Sequence, residues 1–261
     1  MLLERVLIPL DGTPAAESVV PLLEPILRRS GSEVFLVRAL SPSDPRPPVQ
    51  EAEEYLEEIA GRFLDEGVCA HTLVGVGPAS EVIASLAMEE EITLIAMGVP
   101  PGDVDPVMER LLRGSKPVLA FRQPTAPPLS GKKRRTILAP LDGSEASRRS
   151  LPLALELAGV LDARVILMRV IEQDHEELEA LNELHGVARR LADQGLCAEI
   201  WIERGEPVGK ILQISREEEA QLVVLTTRGR SEGPLDALGP VTLDVMNGSP
   251  VPVLAVHVHG P

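Results

Sequence analysis

Aromatic side chains are scarce: Phe35, Tyr55, Phe63, Phe121 and Trp201 are the only five in 261 residues. Single-stranded nucleic acids are gripped by stacked aromatic platforms, so that mode of binding is excluded. Basic residues are in deficit too, 25 Lys and Arg against 40 Asp and Glu, for a formal charge of −15. Duplex binding relies on clustered cations, so nucleic acid is not an expected partner. Cys69 and Cys197 are the only cysteines, too few for a disulfide framework or a zinc site. Both are expected as buried strand residues, because no charged neighbour in sequence would activate either thiol. No apolar run approaches the ~18 residues of a membrane span, and Met1-Leu2-Leu3-Glu4-Arg5 lacks the layout of a secretory signal. A cytoplasmic protein without membrane contact is expected.

What the chain has in quantity is repetition. Leu7-Ile8-Pro9-Leu10-Asp11-Gly12-Thr13 returns as Leu138-Ala139-Pro140-Leu141-Asp142-Gly143-Ser144. Glu89 to Met97 returns as Glu217 to Leu225, and Pro117-Val118-Leu119-Ala120 as Pro252-Val253-Leu254-Ala255. Three matches in one order define a tandem duplication, and the period is far too long for a solenoid. The expected domains are 1–123 and 136–261. Residues 124–135, rich in Pro and ending in Lys132-Lys133-Arg134-Arg135, read as a solvated linker.

Each half alternates apolar strands with amphipathic helices. In the first, strands are expected at Arg5–Pro9, Glu33–Ala39, Ala70–Gly75, Ile92–Met97 and Val118–Phe121. Helices are expected at Pro14–Arg29, Glu51–Glu66, Ala79–Glu90 and Val107–Arg113. The second half repeats the order, with strands near Thr136–Leu141, Arg164–Val170, Ala198–Glu203, Leu222–Leu225 and Val251–Val256. Its helices fall near Glu145–Gly159, His175–Gln194, Val208–Glu218 and Val241–Met246. This pattern predicts an α/β protein of two tandem doubly wound, five-stranded parallel sheets, Rossmann-like, with strand order 3-2-1-4-5. Ligands of such sheets bind beyond the carboxyl ends of the strands where the order reverses, between strands one and four. In the second half that crevice brings Asp142 towards the stretch Leu225 to Thr242, a strand, a glycine-bearing loop and a helix start. Glycines admit close backbone approach and a helix N-terminus favours an anion, so the stretch has the layout of a phosphate cradle.

Pro140 to Ser144, Gly205-Glu206-Pro207 and Pro252 to Val256 resemble the signature segments of a universal stress protein domain, and the order of elements agrees throughout both halves. The chain is identified as a tandem member of that family. Its ATP-binding members carry Gly-x2-Gly-x9-Gly-Ser/Thr after strand four; here the loop reads Thr226-x2-Gly229-x9-Gly239-Pro240, with spacing kept and two positions changed. Thr226 adds a Cβ, and Pro240 removes a hydroxyl and a backbone N–H. Each lost hydrogen bond to phosphate costs about 1–3 kcal/mol. The resemblance implies that Pro140, Leu141 and Asp142 meet adenine or ribose, that Val170 and Leu225 flank the base, and that Val241 and Thr242 follow the loop where phosphate is held. Arg228 and Arg230 offer compensating positive charge.

The matching loop of the first half is shorter, nine steps from Gly98 to Val107 against fifteen from Thr226 to Val241. It has three prolines and acids at Asp103, Asp105 and Glu109, so the first domain is expected to have lost the site. The reading that results is a stress protein that binds ATP, accompanied by Mg²⁺, in its second domain, with hydrolysis slow if it occurs at all. The rival is a stress-response scaffold without nucleotide, acting on an unidentified protein partner; an Asx turn at Asp142 would suit it equally. The resemblance further implies that the halves pair as a pseudo-dimer and that the chain forms homodimers. Gly205-Glu206-Pro207-Val208-Gly209-Lys210 is no P-loop, since Ile211 stands where Ser or Thr must hold Mg²⁺.

Overall fold

A computed structural model describes residues 1–41, 43, 48–100, 102, 104–122, 135–193, 195–228 and 238–257. The chain divides into two compact units, Met1–Gln123 and Pro124–Pro261. The first unit runs β1 (Arg5–Pro9), α1 (Pro14–Glu17), α2 (Val20–Ser30), β2 (Glu33–Leu40), α3 (Val49–Asp65), β3 (Cys69–Val76), α4 (Ala79–Glu89), β4 (Leu94–Val99), α5 (Pro106–Leu112) and β5 (Val118–Arg122). The second runs β6 (Arg135–Pro140), α6 (Glu145–Arg148), α7 (Leu151–Leu161), β7 (Ala163–Ile171), α8 (Glu177–Ala192), β8 (Ala198–Arg204), α9 (Pro207–Glu217), β9 (Leu222–Thr226), α10 (Pro240–Gly248) and β10 (Val253–Val256).

Within the first unit the strands lie in the order β3-β2-β1-β4-β5, and within the second β8-β7-β6-β9-β10. The pairings within each unit are parallel, which gives the expected 3-2-1-4-5 arrangement twice. Central strands are apolar on both faces: Val6, Leu7, Ile8, Ile137, Leu138 and Ala139 are fully buried, as a sheet covered by helices on both sides requires.

The long first helix expected in each half is broken in two. Pro21 has no N–H for the carbonyl of Glu17, and Pro152 none for that of Arg148, so the helix stops after one turn and restarts as α2 or α7. Ahead of each break lies one turn geometry built twice. Asp11 Oδ1 accepts from the Thr13 N–H (2.8 Å) and hydroxyl (2.6 Å), and Asp142 Oδ1 from those of Ser144 (2.9 and 2.6 Å). Thr13 and Ser144 then cap α1 and α6 through the N–H groups of Ala16 and Ser147. Gly12 and Gly143 bridge the turn at φ +84° and +85°, a backbone region that favours glycine.

The cysteines depart from expectation. Cys69 and Cys197 are both exposed, because each opens or precedes an edge strand where the side chain meets solvent. Cys69 also has a neighbour that sequence separation concealed: its Sγ lies 3.6 Å from Nε2 of His71, one pleat along the same strand face.

Candidate functional site

The carboxyl ends of β6, β7 and β9, with α6, α9 and the start of α10, enclose a cavity of about 260 Å³ in the second unit. Every described member of the predicted set lines it: Pro140, Leu141, Asp142, Val170, Leu225, Thr226, Arg228, Gly239, Pro240, Val241 and Thr242. Gly229 and Arg230 lie outside the described residues. Ser147, Met168, Pro207 and Ile211 also line the cavity and were not foreseen. Pro207 and Ile211 are four residues apart on α9, hence on one face, and Met168 alternates with Val170 along β7. Those periodicities were legible; what was missing was the knowledge that α9 leans over the crevice.

The two substitutions in the glycine motif settle into the fold without strain. Thr226 ends β9 as extended backbone, and no positive φ is needed there. Its hydroxyl donates to the carbonyl of Arg228. Pro240 occupies the first turn of α10, where its fixed φ suits the helix. Around them the loop ends are stapled together. The Thr242 hydroxyl donates to the Thr226 carbonyl (2.7 Å), and the Gly239 N–H to the Thr227 carbonyl (2.8 Å). The N–H groups of Thr242 and Leu243 both turn back to the Gly239 carbonyl (3.1 and 3.3 Å). Among the described residues this leaves the Val241 N–H as the open donor of the α10 first turn.

Among the described residues, Asp142 is the only acid lining the cavity and Arg228 the only cation. The remaining walls are chiefly carbon, from Leu141, Met168, Val170, Ile211 and Leu225. Such a chamber suits a flat apolar body that carries a hydrogen-bond donor towards the Asp142 carboxylate. Its volume falls just below the ~300–1,000 Å³ usual for small-molecule sites.

The same place in the first unit is built differently. Gly98 is the register counterpart of Thr226, and a Cβ on it would overlap the carbonyl of Ala15, so α1 lies directly on the end of β4. Asp105, the counterpart of Gly239, puts its carboxylate on the Met108 N–H at 2.7 Å and so fills the α5 terminus with a resident anion. The Arg122 guanidinium donates to the carbonyls of Pro100 (2.9 Å) and Gly102, which ties the connection to β5. Pro101 and Asp103 lie outside the described residues. The P-loop decoy is also explained: Glu206 caps α9 through the N–H groups of Val208 (2.8 Å) and Gly209 (2.6 Å), the donors that an anion would use.

A doubly wound parallel sheet with a crevice at its switch point defines the class, an open α/β protein with a Rossmann-like sheet. The sequence profile of the Universal stress protein family matches residues 3–120 and again 133–257, so the chain belongs to that family and carries its domain twice. Universal stress protein Sll1654 of Synechocystis is 33% identical over 133 residues, 47% of this chain and 85% of that protein. Universal stress protein YxiE of Bacillus subtilis is 28% identical over 144 residues, 46% of this chain and 97% of that protein. The crystal structure of a universal stress protein from Archaeoglobus fulgidus matches 97% of this chain and 98% of its own, with TM-score 0.83 and 21% identity, a likeness of fold. No helix among the described residues is long and apolar enough to cross a membrane.

Proposed function

We propose that the second unit of this universal stress protein binds an adenine nucleotide in the cavity between β6 and β9, and that the first unit is structural. One observation carries the reading. Eleven residues chosen from the sequence for contact with adenine, ribose or phosphate converge on one cavity at the switch point. Met168, Val170, Leu225 and Ile211 would sandwich the base, Asp142 would accept from ribose or the exocyclic amine, and Arg228 with the Val241 N–H would meet phosphate. ATP is the ligand that the family resemblance implies, and Mg²⁺ would arrive on its phosphates. In the first unit Asp105 and the close approach of α1 to Gly98 oppose a phosphate.

The proposal includes self-association of the chain and action in the cytoplasm through an unidentified protein partner. A scaffold that binds no nucleotide is the second reading, favoured by the engagement of Asp142 Oδ1 in its Asx turn and by the donors lost at Pro240. Mass spectrometry of small molecules released on denaturation, followed by calorimetric titration, separates the two. Val241→Glu, which sets a carboxylate at the phosphate end, is expected to weaken binding at least tenfold; Val107→Glu, at the matching place of the first unit, is expected to leave it unchanged. Absence of heat with any adenine compound at millimolar concentration refutes the nucleotide reading and leaves the scaffold.

A further inference from the structure

We infer that Cys69 is a site of reversible exchange with small disulfides, with His71 as the acceptor of its proton and Glu33 as the carboxylate beside that ring. The three side chains come from neighbouring strands: Cys69 and His71 alternate along β3, and Glu33 is the β2 residue in register with Cys69. Cys69 Sγ lies 3.6 Å from Nε2 of His71, and Glu33 Oε2 lies 3.9 Å from the same nitrogen. Packing fixes the imidazole. It stacks on the buried ring of Phe35, with centroids 4.7 Å apart and planes 23° from parallel. The other charged groups around it are engaged or face solvent. The Arg5 guanidinium lies 4.7 Å over the same Phe35 ring and pairs with Glu90 of α4 at 3.2 Å. At the end of α3, which packs on β3, Asp65 is exposed and Glu66 pairs with Arg28 at 2.7 Å. Cys69 itself is exposed on the outer strand of the first unit, so a disulfide can approach the sulfur from solvent.

The chemistry follows from that placement. With its proton on Nδ1, the imidazole offers Nε2 to the thiol. As Sγ attacks one sulfur of a disulfide RSSR, the S–H proton passes to Nε2 and the new S–S bond forms. The S–S bond of RSSR breaks, and RS⁻ leaves with the electron pair and takes a proton from the imidazolium or from water. Cys69 is thereby oxidised to a mixed disulfide while RSSR is reduced to one thiol, and excess thiol reverses the step. The Glu33 carboxylate favours the positive charge that the ring acquires. A disulfide suits this open position because a thiolate leaves without the bound acid that a hydroxide would need.

The second unit supplies a reference. Strand register sets Cys197 at the place of Cys69, Glu199 at that of His71 and Arg164 at that of Glu33. Cys197 is exposed as well, but Glu199 is bonded to Arg164 at 2.9 Å. His185 borders the same groove as Cys197, yet no described residue hydrogen-bonds to that sulfur. One thiol has a base within reach, and its repeat counterpart has none.

Reaction of the full chain with dithiodipyridine, in Cys197→Ser to read Cys69 and in Cys69→Ser to read Cys197, tests the inference. A thiol of ordinary pKa is about 3% thiolate at pH 7, which leaves room for a gain of up to about thirtyfold when a base takes the proton. Cys69 is expected to react about tenfold faster than Cys197 at that pH. His71→Phe keeps an aromatic ring on Phe35 but no nitrogen, and is expected to bring Cys69 down to the Cys197 rate. Glu33→Gln is expected to slow Cys69 about two- to threefold, as an exposed ion pair allows. The unsubstituted His71 chain gives a readout that folding of a variant cannot blur: an unassisted thiol speeds up about eightfold from pH 7 to pH 8, whereas Cys69 is expected to gain less than about threefold. Oxidised glutathione should add one mixed disulfide at Cys69, read by intact mass and removed by a thiol reductant. Equal rates for the two cysteines, a free-thiol pH profile at Cys69, or a rate unmoved by His71→Phe in a chain with unchanged circular dichroism each overturns the inference.

Discussion

Gly98→Ala is the sharpest test of why the two units differ at the end of their fourth strand. A Cβ at this position overlaps the Ala15 carbonyl and comes within 3.1 Å of that of Ala16, so backbone rather than a yielding side chain opposes it. Restoring ordinary contact requires α1 to lift by roughly 1–2 Å. That helix is tied to α3 where Glu17 accepts from the Tyr55 hydroxyl at 2.9 Å, and its own turn is closed by Thr13, which caps it at 3.2 Å, and by Ser18, which bonds the Ala15 carbonyl itself at 2.6 Å. Overpacking of a rigid site costs about 1–3 kcal/mol, and losing one such hydrogen bond about 1 kcal/mol more, for a total near 3 kcal/mol. Urea unfolding of the full chain, with amide exchange in β1 and β4 to assign the transition, reads the loss. Gly186→Ala serves as the matched control, since nothing lies within 4 Å of a Cβ there. A Gly98→Ala cost below about 1 kcal/mol would mean that α1 is free to move, and the closed first unit would need another explanation.

The control makes a prediction of its own: Gly186 is interior to α8, so alanine should raise stability by about 0.5–1 kcal/mol in the same urea experiment. Burial raises the pKa of Glu24, with Glu66 adding to the effect, so the folded state holds its proton more tightly than the unfolded one. Ionised Glu24 therefore opposes folding above its folded pKa and ceases to do so as pH falls below the ordinary carboxylate range. Glu24→Gln should accordingly stabilise at pH 7 and lose that advantage near pH 3, as thermal melts across pH would record. At equivalent places of the repeat, the Tyr55 hydroxyl donates to Glu17, whereas Glu183 accepts from Arg148 at 3.0 and 3.1 Å. Tyr55→Glu should destabilise the first unit by setting two carboxylates together, and adding Glu17→Arg should recover at least 1 kcal/mol, as a double-mutant cycle by urea unfolding would measure.

The fold was legible because its signals are periodic and doubled. Apolar runs such as Leu222 to Leu225 can only be strands covered on both faces, and the return of the Pro-x-Asp-Gly turn fixed where each sheet begins. The candidate site was legible for a related reason: strand ends and their loops are adjacent in a parallel sheet, so Asp142, Val170 and Thr226 could be placed together before any coordinates. What escaped notice depends on angles that no local pattern encodes. The lean of α9 brings Pro207 and Ile211 to the cavity, and the distance of α1 from β4 decides whether a first-unit site exists. Pro21 and Pro152 lie in the middle of the helices expected at Pro14–Arg29 and Glu145–Gly159, and each removes a bond to the carbonyl four residues earlier and splits the helix. The cysteines misled because burial was judged from residue type, while edge-strand position governs it.

The two units keep one backbone and redistribute the polar groups upon it. In the first, Arg5 on β1 pairs with Glu90 at 3.2 Å; in the second, Thr136 stands at that place and Arg164 on β7 bonds both Glu199, at 2.9 Å, and Glu218. The cation has moved one strand over, and its bonds to those carboxylates hold Arg164 above its ordinary pKa. Arg38, stacked 4.9 Å over the Tyr55 ring, gives way to Arg169, buried beside the Glu183 carboxylate at 3.6 Å. In each case charge or hydrogen-bond complementarity survives although one residue of the cluster is kept, Glu90 as Glu218 in the first and Arg38 as Arg169 in the second. The helix terminus beside the crevice has not been treated in that way. There the first unit has filled its helix terminus with Asp105, and the second has given up two donors at Pro240 without a described replacement. Polar networks that hold the fold keep their complementarity with different partners in the two units, whereas at the matching helix terminus Asp105 meets the Met108 N–H in the first unit and Pro240 offers no N–H in the second.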